Sequence, residues 1–336
     1  MPARQRRRAQ VRKEGRRYPL YWAVRLPIAL CISVTIATPR PGMTADPAAS
    51  VCASYRQDAD DDSTAAADTQ PLPFSHGLLW VVKRSGIADS YVFGTMHVDT
   101  PALTRLPDPV RKALATSERL VMETRLDAHA QAVYSTRAFL PDDETLKPLL
   151  PPSLVDTYLK ISADYALPAD TAMKLTPWAA TNLIGRPASQ SGPGMEDVLR
   201  DAAQRAGKPI VALETMEELL DTLAAMPTSD QVEILTDTIC NHDRILKETD
   251  RLEQIYQRRD LAALLRFNDR GHHDQALFLR YRQRMLYDRS TRMVKRMLPY
   301  LQRGGTFVAV GALHLAGEHG ILQGLEARGY EITAAY

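Results

Sequence analysis

Apolar positions along this chain alternate between two regimes, short continuous runs and longer stripes at helical spacing. Six short runs stand out: Leu78 to Lys83, Ser90 to Phe93, Arg119 to Met122, Pro209 to Leu213, Thr306 to Val310 and Tyr330 to Ala334. Each is bounded by Gly, Ser, Pro or charged residues, as strands are, and the wholly apolar ones read as parallel strands covered on both faces. The first two, joined through Ser85-Gly86, predict a hairpin. Between them the spacing is helical. Pro107 to Ser117 and Glu196 to Ala206 predict single helices, and Asp127 to Ile184 predicts a helical block broken at Pro141, Pro151, Pro152, Pro168 and Pro177. A second block runs through Met216 to Ala225, Asp230 to Tyr256, Leu261 to Phe267 and Gln275 to Leu301, with Leu, Ile and Met on the buried stripe. The expected fold is α/β (α+β): a small mixed sheet covered by two helical blocks, its active site at the strand carboxyl ends.

At 336 residues, 45% hydrophobic and 24% charged, the chain can bury one or two ordinary cores. The net charge of +2 hides an asymmetry. Arg4, Arg6, Arg7, Arg8, Arg12, Lys13, Arg16 and Arg17 crowd the start, and the remainder is acidic, which argues against a nucleic-acid surface on the folded part. The basic run precedes an apolar stretch, Leu26 to Ala37, and small residues at Met43-Thr44-Ala45. That is the layout of a secretory signal peptide over residues 1–45, with an uncleaved membrane anchor as the alternative. Periplasmic or secreted location is the expectation, with membrane contact only through this segment. Residues 46–70 are rich in Ala, Asp, Ser and Thr and predict a disordered acidic linker, so the folded domain should span 71–336. Cys52 and Cys240, left once the signal is cut, predict no disulfide framework and no metal knuckle.

Four predicted strands run into His97, Glu123, Glu214 and His314, and the two histidines share the spacing Gly-x-x-His, at Gly94 and Gly311. A parallel sheet would gather these two imidazoles and two carboxylates on one rim. Such a set suits a divalent metal with one position left for water, and equally suits metal-free acid and base catalysis. Other histidines carry less: His272-His273 sits in a polar loop, His242 lies two residues from Cys240 on a helical pattern, and His319 belongs to a turn near His314. There is no Gly-x-Ser-x-Gly elbow, phosphate loop or His-Glu-x-x-His.

From Leu79 to the C-terminus the chain resembles the TraB/GumN family, which includes the TIKI-type metalloproteases and is distantly similar to erythromycin-esterase and ChaN-like proteins. The motifs that carry the resemblance are Tyr91-Val-Phe-Gly-Thr-Met-His97, Leu120-Val-Met-Glu123, Leu175-Thr-Pro-Trp178, Gly194-Met-Glu196, Lys208-Pro-Ile-Val-Ala-Leu-Glu-Thr215 and Phe307-Val-Ala-Val-Gly-Ala-Leu-His-Leu-Ala-Gly317. The resemblance implies hydrolysis of peptide or ester bonds with His97, Glu123, Glu214 and His314 as active-site groups. The family's usual Arg-Asn pair is Arg289-Ser290 here, which leaves Arg289 to hold a substrate carboxylate or oxyanion. The expected mechanism is a divalent Zn, Mn or Co ion held by His97, Glu123 and His314, with Glu214 as base and Arg289 beside them. The rivals are a metal-free His/Glu esterase and a non-catalytic module that sequesters a peptide or ligand in the same cleft.

Overall fold

All six predicted strands form, and they join in one sheet. In the computed structural model, which describes residues 47–56, 72–97, 100–188, 193–270 and 272–336, the strands are β1 (Leu79–Lys83), β2 (Ser90–Thr95), β3 (Arg119–Thr124), β4 (Ile210–Glu214), β5 (Thr306–Gly311) and β6 (Glu331–Ala334). Their spatial order is β4-β3-β5-β2-β1-β6. The neighbours β4, β3, β5 and β2 are parallel, with Val121 opposite Val211 and Val308, and Val308 opposite Val92. β1 pairs antiparallel with both β2 and β6. The run Phe307-Val-Ala-Val310 at the centre is buried throughout, whereas the edge strand β6 is mostly exposed.

Because four strands run in the same sense, their carboxyl ends share one edge of the sheet. One hydrophobic core packs around the sheet, drawing in the Met195–Arg205, Arg289–Leu301 and Ile321–Glu326 helices. In Arg289–Leu301 the buried positions are Arg289, Ser290, Met293, Val294, Met297 and Leu301, a single stripe at helical spacing. A second core lies within the first helical block and the helices after β4. It is built on Leu146, Leu154, Tyr158, Ile184, Leu220 and Leu235. There the Tyr158 hydroxyl donates to the Ala172 carbonyl at 3.0 Å, which satisfies a fully buried polar group.

The structure departs from the sequence reading at three places. The stretch read as one helix over Asp230 to Tyr256 breaks at Asn241, between Thr228–Cys240 and His242–Gln257. The Asn241 amide donates to the carbonyl of Asp237 (3.2 Å) and to that of Tyr55 (3.0 Å), so the side chain competes with the helix ladder. The stretch read as one helix over Gln275 to Leu301 contains a π-helical turn, Gln283–Asp288, between Gln275–Arg282 and Arg289–Leu301.

The third departure corrects two expectations. Residues 47–56, placed by composition in a disordered linker, contain the helix Pro47–Cys52, and Cys52 is disulfide-bonded to Cys240, with Cα atoms 5.1 Å apart across 188 residues of sequence. Val51 and Tyr55 pack against the second core, and the Tyr55 hydroxyl donates to Glu233 at 3.0 Å. The signal or anchor expected over residues 1–45 and the rest of the linker, 46 and 57–70, lie outside the described residues. Among the described residues no helix is long and apolar enough to cross a membrane.

Candidate active site

Each site residue sits where a strand hands over to a turn. Glu123 is the fifth residue of β3, Glu214 ends β4, and His97 follows β2 by two residues. β5 ends on Gly311, and a single 3₁₀ turn, Ala312–His314, swings His314 back to the sheet edge. That turn presses on β2: a Cβ at Gly94 would lie 2.6 Å from Leu315 Cδ1 and 3.0 Å from Ala312 Cα. The glycine of the first Gly-x-x-His is therefore needed for the close approach of the second.

Arg289, 5% exposed, lies between the two glutamates. Its Nε donates to Glu214 Oε2 at 2.8 Å, its Nη2 donates to Glu123 Oε1, and its Nη1 donates to the Met285 carbonyl at 3.2 Å. The other Glu123 oxygen accepts the Gly311 N–H at 2.9 Å. Burial pushes the Glu123 carboxyl upward, but His314, Arg289, His97 and the Gly311 N–H outweigh it and hold the group at about 2. Burial opposes the charge on Arg289 as well, and the two carboxylates more than restore it. Glu123 and Arg289 are thus both charged at neutral pH.

The histidines are fixed at Nδ1 by different partners. His314 Nδ1 lies 2.8 Å from Ser290 Oγ, and that hydroxyl donates its one proton to the Leu286 carbonyl, also at 2.8 Å. Ser290 Oγ then accepts from His314 Nδ1–H, which leaves the Nε2 lone pair facing Glu123 Oε1 at 3.9 Å. Burial drives His314 down to about 4, so it is neutral at pH 7. His97, by contrast, is open to the cleft, and its Nδ1 lies 2.9 Å from Glu196 Oε1. Accepting from His97 Nδ1–H, the Glu196 carboxylate raises His97 to about 9 against the pull of desolvation. Glu196 stands in the first turn of Met195–Arg205, where the helix dipole favours an anion. Although burial works against its charge, His97 keeps its carboxyl low.

His97, Glu123, Arg289 and His314 all line one lobe of a cleft, of about 550 Å³. A second lobe, of about 380 Å³, shares His97 and Glu123 and carries Glu196, Asp197 and Arg200. Glu214 is 1% exposed and lines neither lobe. The structure therefore brings together four of the five residues singled out in the sequence and sets the fifth behind Arg289. His319 stacks loosely on Tyr287, their ring centroids 4.4 Å apart, and His272 stacks on Phe278. Two polar partners were missed by sequence reasoning, Glu196 and Ser290. Glu196 had a signal, its place in Gly194-Met-Glu196 at a predicted helix start; Ser290 had only its neighbour Arg289.

The donor set can be tested against a divalent ion. Both imidazoles have Nδ1 engaged, which leaves Nε2 as the nitrogen for an ion, on His97 in exchange for the proton it holds at neutral pH, and a second hydrogen bond of that kind is the usual companion of a metal-bound histidine. With Glu123 Oε1 they make two nitrogens and one oxygen, a combination suited to Zn²⁺, Mn²⁺ or Co²⁺. The set fits in chemistry. Among the described residues no group of three or more His, Cys, Asp or Glu side chains is drawn tightly enough to hold an ion as it stands.

Comparison with known proteins adds to this geometry. A model of the TraB/PrgY/gumN family matches residues 78–334. The chain is 27% identical to the zebrafish (Danio rerio) protein named Metalloprotease TIKI2, over 76% of this chain and 60% of that protein. It is 24% identical to human Metalloprotease TIKI1, over 77% of this chain and 62% of the relative. Identity reaches 39% with a sponge (Amphimedon queenslandica) TIKI homologue, over 24% of this chain and 16% of that protein. The chain thus spans about three fifths of the length of the vertebrate relatives it matches. No solved structure matches it.

Proposed function

The chain belongs to the TraB/PrgY/gumN family, and from that premise we propose that it is an exported hydrolase of peptide bonds that works with a divalent ion. The observation that carries the reading is the convergence of His97, Glu123 and His314 at the head of one cleft, each imidazole held at Nδ1 by its own partner. The names of the TIKI relatives support both the protease and the metal. The Cys52–Cys240 bond supports export, since disulfides persist in oxidising compartments.

His97, Glu123 and His314 would hold the ion, which when bound supplies an acidified water and polarises a carbonyl. The remaining residues do protein chemistry. Ser290 and Glu196 set the orientation of the two rings, and Arg289 holds Glu123 by one oxygen while the Gly311 N–H holds the other. Glu214 is placed to anchor Arg289 rather than to take a proton in the cleft. That task falls to Glu196, the second carboxylate lining the cleft beside His97.

Metal analysis and peptide hydrolysis with the purified protein, with and without chelator, test the reading. His97→Ala and His314→Ala should lose both metal and turnover. Glu196→Gln should keep the metal and lose about 10²-fold in rate. Glu214→Gln should instead lower stability, by about 1–3 kcal/mol, because it leaves a buried donor of Arg289 poorly paired. Turnover indifferent to chelator would favour the metal-free esterase or peptidase. Tight peptide binding with no turnover would make the protein a sequestering module.

A further inference from the structure

The two lobes of the cleft differ in chemistry, and the difference bears on what the site accepts. The larger lobe starts at His97, Glu123 and His314 and is walled by Leu252, Leu264, Phe267, Phe278, Tyr281 and Met285. Leu264 and Phe278 are buried and the other four are half-buried, the profile of a wall facing a cavity. These side chains come from the His242–Gln257, Leu261–Asn268 and Gln275–Arg282 helices and from the π turn, all within the second helical block. The charges on this lobe are already committed: Arg289 and Glu123 to each other, Arg282 to Asp269. Arg186 lies at the mouth, on both lobes. The smaller lobe carries Glu196, Asp197 and Arg200 beside the apolar Met122, Leu126, Met216 and Leu219, so it mixes charge with apolar surface.

A lobe with an apolar wall that begins at the reacting groups suits a peptide that places an apolar side chain there while its backbone crosses His97 toward Glu196, Asp197 and Arg200. We propose that the larger lobe is a specificity pocket for a large apolar side chain, aromatic or branched aliphatic, next to the scissile bond of a peptide substrate. Its volume of about 550 Å³ exceeds what one such side chain needs, so the adjoining backbone enters with it. The cleavage part of this statement rests on the hydrolase reading above, whereas the occupancy of the lobe does not.

The test uses the purified full chain and one peptide scaffold varied at a single position among Gly, Ala, Asp, Leu and Phe, read by both cleavage and fluorescence anisotropy. Leu and Phe peptides should exceed the Ala peptide by about 10- to 100-fold in kcat/KM and in binding. Leu252→Trp, which fills the lobe, should lose at least about tenfold on the Phe peptide and reduce the preference for Phe over Ala to within about twofold. Met285→Ala, which enlarges it, should shift preference from Leu toward Phe. Equal rates across the five peptides, or a preference for Asp or Gly, would overturn the pocket while leaving the hydrolase reading intact. Preferential binding of Phe and Leu peptides without cleavage would keep the pocket and overturn the hydrolase. Neither binding nor cleavage of any peptide overturns both.

Discussion

Arg289 shapes the site more than either histidine does. Its buried guanidinium bridges Glu123 and Glu214, and Arg292 Nη1 adds a second cation 3.5 Å from Glu214 Oε1. Breaking such a buried pair from one side costs about 3–5 kcal/mol, which makes Arg289 a structural hub as well as a site residue. The histidines depart from the ordinary imidazole value of 6.5 in opposite senses, His97 raised to about 9 and His314 lowered to about 4. Where the folded state holds the extra proton, stability falls as pH rises, and the reverse holds where the unfolded state does. His97 therefore contributes stability that is complete below about pH 6.5 and is lost as pH climbs to 9. His314 makes the fold less stable as pH falls from 6.5 toward 4, since the unfolded chain then takes up a proton that the buried ring refuses. In ion-free protein, the melting-temperature advantage of wild type over His97→Gln should shrink between pH 6.5 and 9. Wild type should likewise lose ground to His314→Gln on the acid side. Parallel melting curves for wild type and variants across pH 4–9 would sink this account.

At the scale of elements, the π turn Gln283–Asp288 does the positioning. It carries one residue more per turn than an α-helix, so that the Phe278 and Tyr281 face of one helix and the Arg289 and Ser290 face of the next both reach the cleft. Deleting Gln283, an exposed residue, should let the two helices fuse, and one of them must then turn by about 100°. The expected result is at least a tenfold loss of activity with far-UV circular dichroism unchanged; retained activity would remove the turn from the argument. This feature was invisible in the sequence, because the apolar stripe runs through it unbroken and a π turn has no residue signature of its own. The strands were legible for the opposite reason, since burial on both faces leaves runs such as Phe307-Val-Ala-Val310 no other reading. Two family motifs proved to be scaffolding: Thr176 caps the Pro177–Ile184 helix by accepting the Ala179 N–H, and the Lys208 ammonium donates to the Leu114 and Ala115 carbonyls at the end of Asp108–Thr116. The order of β-strand ends predicted which groups meet. It could not say that Glu214 faces Arg289 and not the cleft, which depends on side-chain directions set by the helix opposite.

Across the whole molecule, the sheet core and the second core meet at the cleft, and the Cys52–Cys240 bond ties the chain before the domain to the second of them. Composition misled at Cys52 because the stretch around it is short and runs into the acidic Asp58 to Asp62. What orders residues 47–56 is the covalent bond together with Val51, Tyr55 and the Asn241 amide, none of which a local window can weigh. A bond closing so long a loop stabilises by about 2–4 kcal/mol, and it is made at the end of Thr228–Cys240, the helix that carries Leu235 and Ile239 and lines neither lobe of the cleft. Reduction, or Cys52→Ser with Cys240→Ser, should therefore lower the melting temperature by several degrees, since about 1 kcal/mol corresponds to roughly 2–4 °C in a domain of this size. Peptide turnover at 25 °C should stay within about twofold of wild type. The proposed export draws its support from the same bond. Protein recovered from the cell envelope should show no free thiol at Cys52 or Cys240 under non-reducing mass spectrometry, and its first residue should lie beyond the apolar stretch Leu26 to Ala37 if the signal is cut. Full-length chain with both thiols free, recovered from an intact cell's envelope, would separate the disulfide from the fold and leave export without its structural support.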